Sequence, residues 1–286
     1  MSTSTPATTT DVLAATLLAL GSAGLHAGWN LLIKTSDERF LTAWGQMLFG
    51  GLLFAPVLLF VGVPTGAALG FLVLSTLVHL VYVSALIRAY HHGDFSFAYP
   101  IARGGGAFLA AIGGVLFLGD LLPVPAWLAI GVVAAGLVSL VSRHVTALAL
   151  QWALLTAVTI GAYTTLDAAG ARRSSGFGYG IMLIVAIGAA LSVVGIATGR
   201  VPAFLAHVRL EWRRLVAAGI AGVLAYSMVM TGVRLAPVGY VAALRESSVV
   251  LGALGGWLLL HEGLGRRRLV SAVVVTTGLV ALVAFR

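Results

Sequence analysis

The feature that most constrains this chain is a series of long apolar runs that follow one another from residue 12 to residue 285. Each run is about 20 residues long, the length of helix that crosses the hydrocarbon core of a bilayer. Only 9% of the 286 residues are charged, whereas soluble domains carry about 25%. Barrel strands would alternate apolar and polar residues, and these runs do not. The chain is therefore expected to be an all-α polytopic membrane protein.

Turn residues and charges divide the chain into expected membrane spans joined by short connections. We place ten spans, at 12–34, 41–62, 68–90, 95–118, 123–142, 147–170, 177–198, 212–233, 237–260 and 266–285. Residues 1–11 form a polar tail that is expected to be disordered. The tail lacks the basic segment of a secretory signal, so the first span should remain in the mature protein.

The two halves of the chain align with each other. At an offset of 142, residues 102–122 lie on residues 244–264, and at an offset of 137 the first span lies on the sixth. Rare residues coincide in this alignment: Arg103 with Arg245, Gly136 with Gly278, Asp120 with Glu262, His26 with Tyr163, and Asn30 with Asp167. Two halves of five spans each must have opposite orientations in the membrane. The sequence thus predicts two inverted five-helix repeats, 12–143 and 147–286, an architecture typical of secondary transporters.

Several segments carry a resemblance to a known family. They are HAGWNLLIK (26–34), GDFSFAYPIARG (93–104), FLGD (117–120), AYTTLDAAGARRS (162–174) and LRESSVVLGALGGWLLLHE (244–262). Over nearly its full length the chain resembles an EamA-type member of the drug/metabolite transporter superfamily. The resemblance implies ten helices in a 5+5 inverted repeat, with a cavity lined by the first, third and fourth helices of each half. It implies no particular substrate, and Asp120 stands where the family usually has Glu.

Arg103 lies inside an apolar span, roughly 12 Å along its helix at about 1.5 Å per residue. An arginine in the middle of a membrane costs about 2.5–3.5 kcal/mol on insertion scales, so it usually faces the interior of a bundle. Arg245 repeats the situation in the other half. Two interpretations remain open: both guanidinium groups bind an anionic substrate, or they form structural ion pairs, for example with Glu246 or Asp167.

Two pairs of polar residues lie on single helix faces, because each pair is spaced by four residues. His26 and Asn30 are on the first span, and Tyr163 and Asp167 are on the sixth. These pairs are interpreted either as polar walls of a cavity or as interhelical hydrogen bonds. His79, in the middle of the third span, is expected to form an internal hydrogen bond, with protonation of its imidazole as the alternative.

The candidate functional residues divide into two sets. The predicted substrate-binding residues are Arg103, Arg245, His26, Asn30, Tyr163, Tyr99 and Trp29. The predicted proton-coupling candidates are Asp167, His26 and Glu246. His91 and His92 are adjacent in a connection and lack further ligands at metal-site spacing, so no metal site is predicted.

The expected function is secondary transport. No nucleotide-binding or catalytic motif stands in a suitable context, so we predict no enzyme activity and no cofactor, and any active transport must use a gradient. The most favoured activity is export of a small anionic or zwitterionic metabolite, by exchange or proton antiport. A membrane-embedded enzyme and a non-transporting receptor or assembly subunit remain alternatives.

The expected surroundings follow from the charge pattern. The net charge of +8 is scattered between spans, which suits a membrane surface and not nucleic acid. We expect a multi-pass protein of a prokaryotic cytoplasmic membrane, as a monomer or homodimer. The bias of Lys and Arg places both termini outside the cytoplasm, whereas the resemblance implies both inside.

Overall fold

The apolar runs form helices. A computed structural model of the chain describes residues 8–34, 36, 38–92, 95–140, 146–260 and 266–285, and this part contains helices and no strands. Large apolar side chains such as Leu59, Phe60 and Phe117 are exposed on the outside, as a lipid-facing surface requires. The protein is an all-helical, integral multi-pass membrane protein, as the sequence predicts.

The helices follow one another with short connections. Their bounds are α1 Thr9–Lys34, α2 Arg39–Phe54, α3 Leu58–Val61, α4 Ala67–His92, α5 Phe95–Leu118, α6 Val124–Val138, α7 Ala147–Ala171, α8 Gly176–Ala197, α9 Val201–Leu235, α10 Val238–Arg245, α11 Ser247–Leu260 and α12 Arg266–Ala284. A 3₁₀ turn, Ala55–Val57, joins α2 to α3 around Pro56, where the missing proline N–H interrupts the helix. The first helix starts at Thr9, because Thr8 and Asp11 bond to each other reciprocally as a capping box.

Seven stretches of the described residues are long and apolar enough to span a bilayer. They are Thr9–Asn30, Arg39–Val61, Ala67–Ala89, Pro100–Leu118, Ala147–Ala171, Gly176–Ala197 and Val201–Leu235. The stretches Val124–Val138 and Leu269–Ala284 are apolar but shorter. The described residues thus give fewer full-length spans than the ten expected, and ten spans in two repeats stays a prediction.

The ninth expected span, 237–260, is wrong as a single helix. It is divided at Glu246 into α10 and α11. The amide of Glu246 donates to the carbonyl of Ala243, and the amide of Val249 donates to the carbonyl of Glu246. This i→i+3 pattern tightens the chain locally and ends one helix before the next begins. The break places Arg245 and Glu246 at the junction of two short helices.

Asp120 connects the ends of four helices. It follows the end of α5, contacts the start of α10 directly, and reaches the ends of α7 and α9 through Arg172. Its Oδ2 accepts the amide of Val238 at 2.7 Å, and its Oδ1 lies 2.7 Å from Nη1 of Arg172. Arg172 also donates to the carbonyl of Val233 near the end of α9. The sequence places Asp120 at a helix end as a surface or capping residue; it is a cap, but of α10, and it is buried.

Glycines allow close helix contacts between the two halves. An added Cβ at Gly136 of α6 would lie 2.9 Å from Val275 Cγ2 and 3.0 Å from Val275 N on α12. A Cβ at Gly278 of α12 would lie 2.8 Å from Val133 Cγ2 and 3.0 Å from Val133 N on α6. Small residues let membrane helices approach backbone to backbone, so this crossing depends on both glycines.

We predict that Gly136→Ala destabilises the protein. The new methyl group should push α6 away from α12, at a cost of about 1–3 kcal/mol for an overpacked contact, and thermal unfolding in detergent measures it. Gly131→Ala in the same helix is the control, because a Cβ there meets nothing within 4 Å. Alanine also favours the helix, so the control should be neutral or slightly more stable. Equal melting temperatures for the two variants would contradict the prediction.

Candidate functional site

Arg103 of α5 forms an ion pair with Glu246 at the α10–α11 junction. Its Nε donates to Glu246 Oε2 at 3.1 Å, and its Nη2 lies 2.9 Å from Oε1. This two-point contact uses both carboxylate oxygens and has the strong bidentate geometry of arginine pairs. The two side chains are 11% and 5% exposed, so the pair is held away from solvent. Of the two interpretations of Arg103, the structure contains the ion pair.

Arg245 has a different environment from its repeat partner. Its guanidinium carbon lies 5.7 Å from the centre of the Tyr226 ring on α9, a cation–π distance. Among the described residues, no carboxylate forms an ion pair with Arg245. The charges of Arg103 and Arg245 both act on His26 of α1 and on Tyr163 of α7. The two arginines and these two residues therefore share one region between the halves.

Asp167 of α7 is fully buried and accepts hydrogen bonds from two phenols. Tyr179 of α8 donates to its Oδ1 at 3.2 Å, and Tyr226 of α9 donates to its Oδ2. The sequence suggests Asp167 as a possible partner for an arginine, and that interpretation is wrong for the described residues, in which the arginine ion pairs use Glu246, Asp120 and Glu211. Tyr226 therefore touches Asp167 with its hydroxyl and Arg245 with its ring.

His79 of α4 completes this region. Its Nδ1 lies 2.9 Å from the carbonyl oxygen of Ser75, and the carbonyl can only accept, so Nδ1 carries the hydrogen. The imidazole stacks on the ring of Tyr163 with centroids 3.9 Å apart and planes at 27°. The internal hydrogen bond expected for His79 is confirmed, but the residue also lies within electrostatic reach of Asp167.

The remaining predicted residues lie at the edge of this region or outside the described part. His26 packs edge-on against Trp29 with centroids 4.7 Å apart, and both are half-buried, as is Asn30. The side chain of Tyr99 lies outside the described residues. The residues of α1 share this partial exposure with Tyr226 and Arg245, whereas His79, Asp167 and Glu246 are buried.

We name the central set of residues the polar cluster, and seven helices supply it together with the junction between α10 and α11. It consists of His26, His79, Arg103, Tyr163, Asp167, Tyr179, Tyr226, Arg245 and Glu246. Two surface concavities lie instead at helix ends, one beside Arg266 and Arg267 and the other beside Arg200 and His207. Within the described part of the chain, no group of three or more acidic or histidine side chains could hold a metal ion.

Three sets of contacts in this cluster lie beyond the sequence predictions. Tyr179 and Tyr226 are not among the predicted residues, although a tyrosine hydroxyl within an apolar span needs a hydrogen-bond partner, which is a signal the sequence contains. His79 was noticed, but its proximity to Asp167 depends on how α4 packs against α7. Glu246 was considered as a partner for either arginine, and only the packing of α5 against α10 shows that it pairs with Arg103.

One family model matches the second half of the chain. Residues 147–284 match the model of the EamA-like transporter family, which confirms the resemblance for that half. One crystal structure shares the fold with a TM-score of 0.74, over 93% of this chain and 95% of its own length. At its 17% sequence identity the similarity concerns the fold alone. No curated protein matches the sequence.

We predict that Arg103 and Glu246 are coupled in stability. Arg103→Gln alone leaves a buried carboxylate unpaired and should cost about 3–5 kcal/mol. Adding Glu246→Gln removes that carboxylate's charge and should recover most of the loss, as a double-mutant cycle of thermal unfolding will measure.

Glu211→Gln provides the control for this cycle. Glu211 pairs with Arg214 at 3.3 Å on the surface of α9, and an exposed pair of this kind contributes about 0–1 kcal/mol. If the losses for Arg103→Gln and Glu246→Gln simply add, the two residues do not stabilise each other and the ion pair is not the reason for their burial.

Proposed function

We propose that this chain, which belongs through residues 147–284 to the EamA-like transporter family, is a secondary transporter of a small anionic or zwitterionic metabolite. The observation that carries the proposal is the polar cluster, in which Arg245 has no acidic partner among the described residues. Arg245 is half-buried, and a guanidinium held at this depth in a membrane must be compensated by protein, water or ligand. A carboxylate or phosphate of the substrate supplies that compensation.

The two inverted repeats are supported by contacts that exchange equivalent residues. At the α6–α12 crossing, Gly136 meets Val275 and Gly278 meets Val133, and the offset of 142 relates both glycines and both valines. A contact in which residue i meets j while the equivalent of i meets the equivalent of j is the signature of a two-fold axis. The first and second halves are thus proposed to be related by such an axis.

A second crossing repeats this pattern with the other offset. A Cβ on Gly51 of α2 would lie 3.2 Å from Val185 Cα on α8, and one on Gly188 of α8 would lie 3.3 Å from Leu48 N on α2. The offset of 137 relates Gly51 to Gly188 and Leu48 to Val185. Likewise α1 packs on α9 as α7 packs on α4. Two halves related in this way support alternating access, since either side can open by the same movement.

The break between α10 and α11 supports a substrate site at this depth. Discontinuous helices in transporters place helix ends beside the substrate, where the positive N-terminus attracts anionic groups. Here the break lies at Glu246, next to Arg245 and opposite Arg103. Ser248, in the first turn of α11, is buried and its hydroxyl has no hydrogen-bond partner within the described structure. An anion at Arg245 would lie close to this helix start.

The two arginines have different proposed roles in binding. Glu246 already neutralises Arg103, so a substrate anion reaches Arg103 only by displacing Glu246. Arg245 is therefore the first anion contact, with His26, Asn30 and Tyr163 as neighbouring polar groups. Trp29 and Tyr99 remain proposed substrate contacts on the sequence alone.

Energy coupling and location complete the proposal. Transport is driven by a gradient of the substrate, of a counter-substrate or of protons, and it exports a metabolite across the cytoplasmic membrane. The bilayer and a small solute are the partners, with no nucleic acid, and the chain acts as a monomer or homodimer. A comparison of metabolites in cells with and without the protein identifies the solute, and flux in proteoliposomes then tests transport directly.

We predict that Arg245→Lys lowers flux in proteoliposomes while leaving the melting temperature nearly unchanged. Lysine keeps the charge but loses the planar fork, and losing one hydrogen bond to a charged group costs about 1.5–3 kcal/mol, which is about a 10- to 150-fold loss of flux at low substrate concentration. Arg214→Lys on the surface of α9 is the control and should keep full flux.

Three outcomes would contradict the proposal. If no solute identified by the metabolite comparison moves in proteoliposomes, the protein is not a transporter. If flux requires ATP directly, it is not a secondary transporter. If Arg245→Lys keeps full flux, Arg245 does not bind the anion.

A further inference from the structure

We propose that Asp167 and His79 together form a binding site for one transported proton, and that Tyr226 connects this site to the anion site at Arg245. This inference rests on the proposed transport function, because a proton site in the polar cluster matters only if a solute is carried. It goes beyond that function by assigning the proton to one pair of residues and by fixing the sign of its coupling to the substrate.

Asp167 differs from the other buried carboxylates in its partners. Asp120 lies 2.7 Å from Arg172, and Glu246 lies 2.9 Å from Arg103. Asp167 is at least as deeply buried, but its hydrogen bonds come from the neutral hydroxyls of Tyr179 and Tyr226. A carboxylate inside a membrane without an arginine or lysine needs another source of positive charge. A proton is the smallest such source.

His79 provides the second half of the proton site. Its Nδ1–H donates to the carbonyl of Ser75, so Nε2 is the nitrogen that can take a further proton. His79 and Asp167 act on each other electrostatically. Two interacting titratable groups bind protons as a pair, and the apparent titration belongs to both. One proton is then held on Asp167, or on Nε2 of His79 beside the ionised Asp167.

The other groups that face the pair are aromatic, cationic or, in Ser75 of α4, a neutral hydroxyl that bonds to Asp167 and lies 3.3 Å from Nδ1 of His79. Tyr163 stacks on His79, while Tyr82 and Tyr226 lie edge-on to it with centroids 6.3 and 6.5 Å away. Arg245 on α10 is the charged residue besides Asp167 whose field acts on His79. Within the described structure, Tyr179 of α8 and Tyr226 of α9 are the titratable side chains of those two helices that bond to Asp167.

The other proton-coupling candidates of the sequence are less suitable. Glu246 is compensated by the two-point contact with Arg103. His26 lies in the field of both Arg103 and Arg245, so a proton there would place a third positive charge beside two others. The pair of Asp167 and His79 therefore remains as the site where a proton adds favourable charge.

Tyr226 connects the proton site to the anion site, and the charges at the two sites determine whether proton and anion favour or oppose each other's binding. Its hydroxyl donates to Asp167, and its ring lies 5.7 Å from the guanidinium carbon of Arg245. An anion bound at Arg245 offsets the positive charge that opposes protonation of the pair. By linkage the proton then strengthens binding of the anion by the same factor. The proton and the anion are therefore carried together, in place of the proton antiport that the sequence suggests. An inward proton gradient then drives uptake, so export requires the gradient of the substrate or of a counter-substrate.

Difference infrared spectroscopy of the full-length protein after a pH jump tests the site without a known substrate. The probe is the proton itself, and the jump runs from about pH 8 to about pH 5, the range in which histidine and perturbed carboxyl groups titrate. Aspartate labelled with carbon-13 separates its carboxyl bands from those of glutamate, and histidine ring bands are recorded in the same spectra.

We expect one transition that both residues share. Asp167→Asn and His79→Gln should each abolish it, and the double variant should lose nothing more. Asp120→Asn is the matched control, because that buried aspartate is paired with Arg172 and should not contribute. Persistence of the wild-type transition in Asp167→Asn or in His79→Gln would overturn the proposal, as would its loss in Asp120→Asn alone.

Two further variants test the connection and remain informative if Asp167→Asn fails to fold. Tyr226→Phe keeps the ring but removes a hydrogen bond to the ionised carboxylate, so the transition should move to higher pH by about one pH unit or more. Arg245→Gln mimics neutralisation by an anion and should move it in the same direction by about one pH unit or more. An unchanged transition in both variants would overturn the connection.

The two proposals fail separately. A protein that shows the shared transition but moves no solute in proteoliposomes lacks the transport function and not the proton site. A protein that moves solute but lacks the shared transition has the transport function without this proton site.

Discussion

Compensation of charge inside the bilayer is the constraint on which this structure depends. In the described part of the chain three acidic residues are buried within the helical bundle, and each is compensated differently. Asp120 holds Arg172 and the amide of Val238, while Glu246 holds Arg103 at two points. Asp167 is held by two phenols beside a histidine. The first two arrangements bring their own positive charge, whereas we propose that a proton supplies it to the third.

The same constraint links the position of each charge to the packing of the helices. Glu246 can reach Arg103 because the chain breaks between α10 and α11, and the start of α10 is fixed by Asp120 at the end of α5. Glycines at the α6–α12 and α2–α8 crossings bring the halves close enough for these contacts. A movement that opens the bundle must therefore change charge pairs and helix crossings together, which is how binding of an ion or solute could be transmitted to the halves.

The two arginines that the repeat alignment relates, Arg103 and Arg245, have different partners in the structure. Arg103 and Arg245 occupy equivalent positions in the sequence alignment, yet Glu246 has no acidic counterpart, since Gly104 stands at the equivalent place in the first half. One guanidinium is therefore neutralised internally, and the other is left facing an aromatic ring. The near-symmetry of the repeats suits alternating access, and the local asymmetry gives the substrate and the proton separate positions.

The sequence by itself determined the helical membrane architecture, the matching offsets of the two halves and the exceptional position of Arg103 and Arg245. These features follow from local composition and spacing, which do not depend on contacts between distant residues. Only the tertiary structure decided that Glu246 pairs with Arg103, that Tyr226 joins Asp167 to Arg245, and that His79 lies near Asp167. Those partners are separated by between 19 and 143 residues of chain, so the rotation and packing of whole helices select them, and no local pattern encodes that choice.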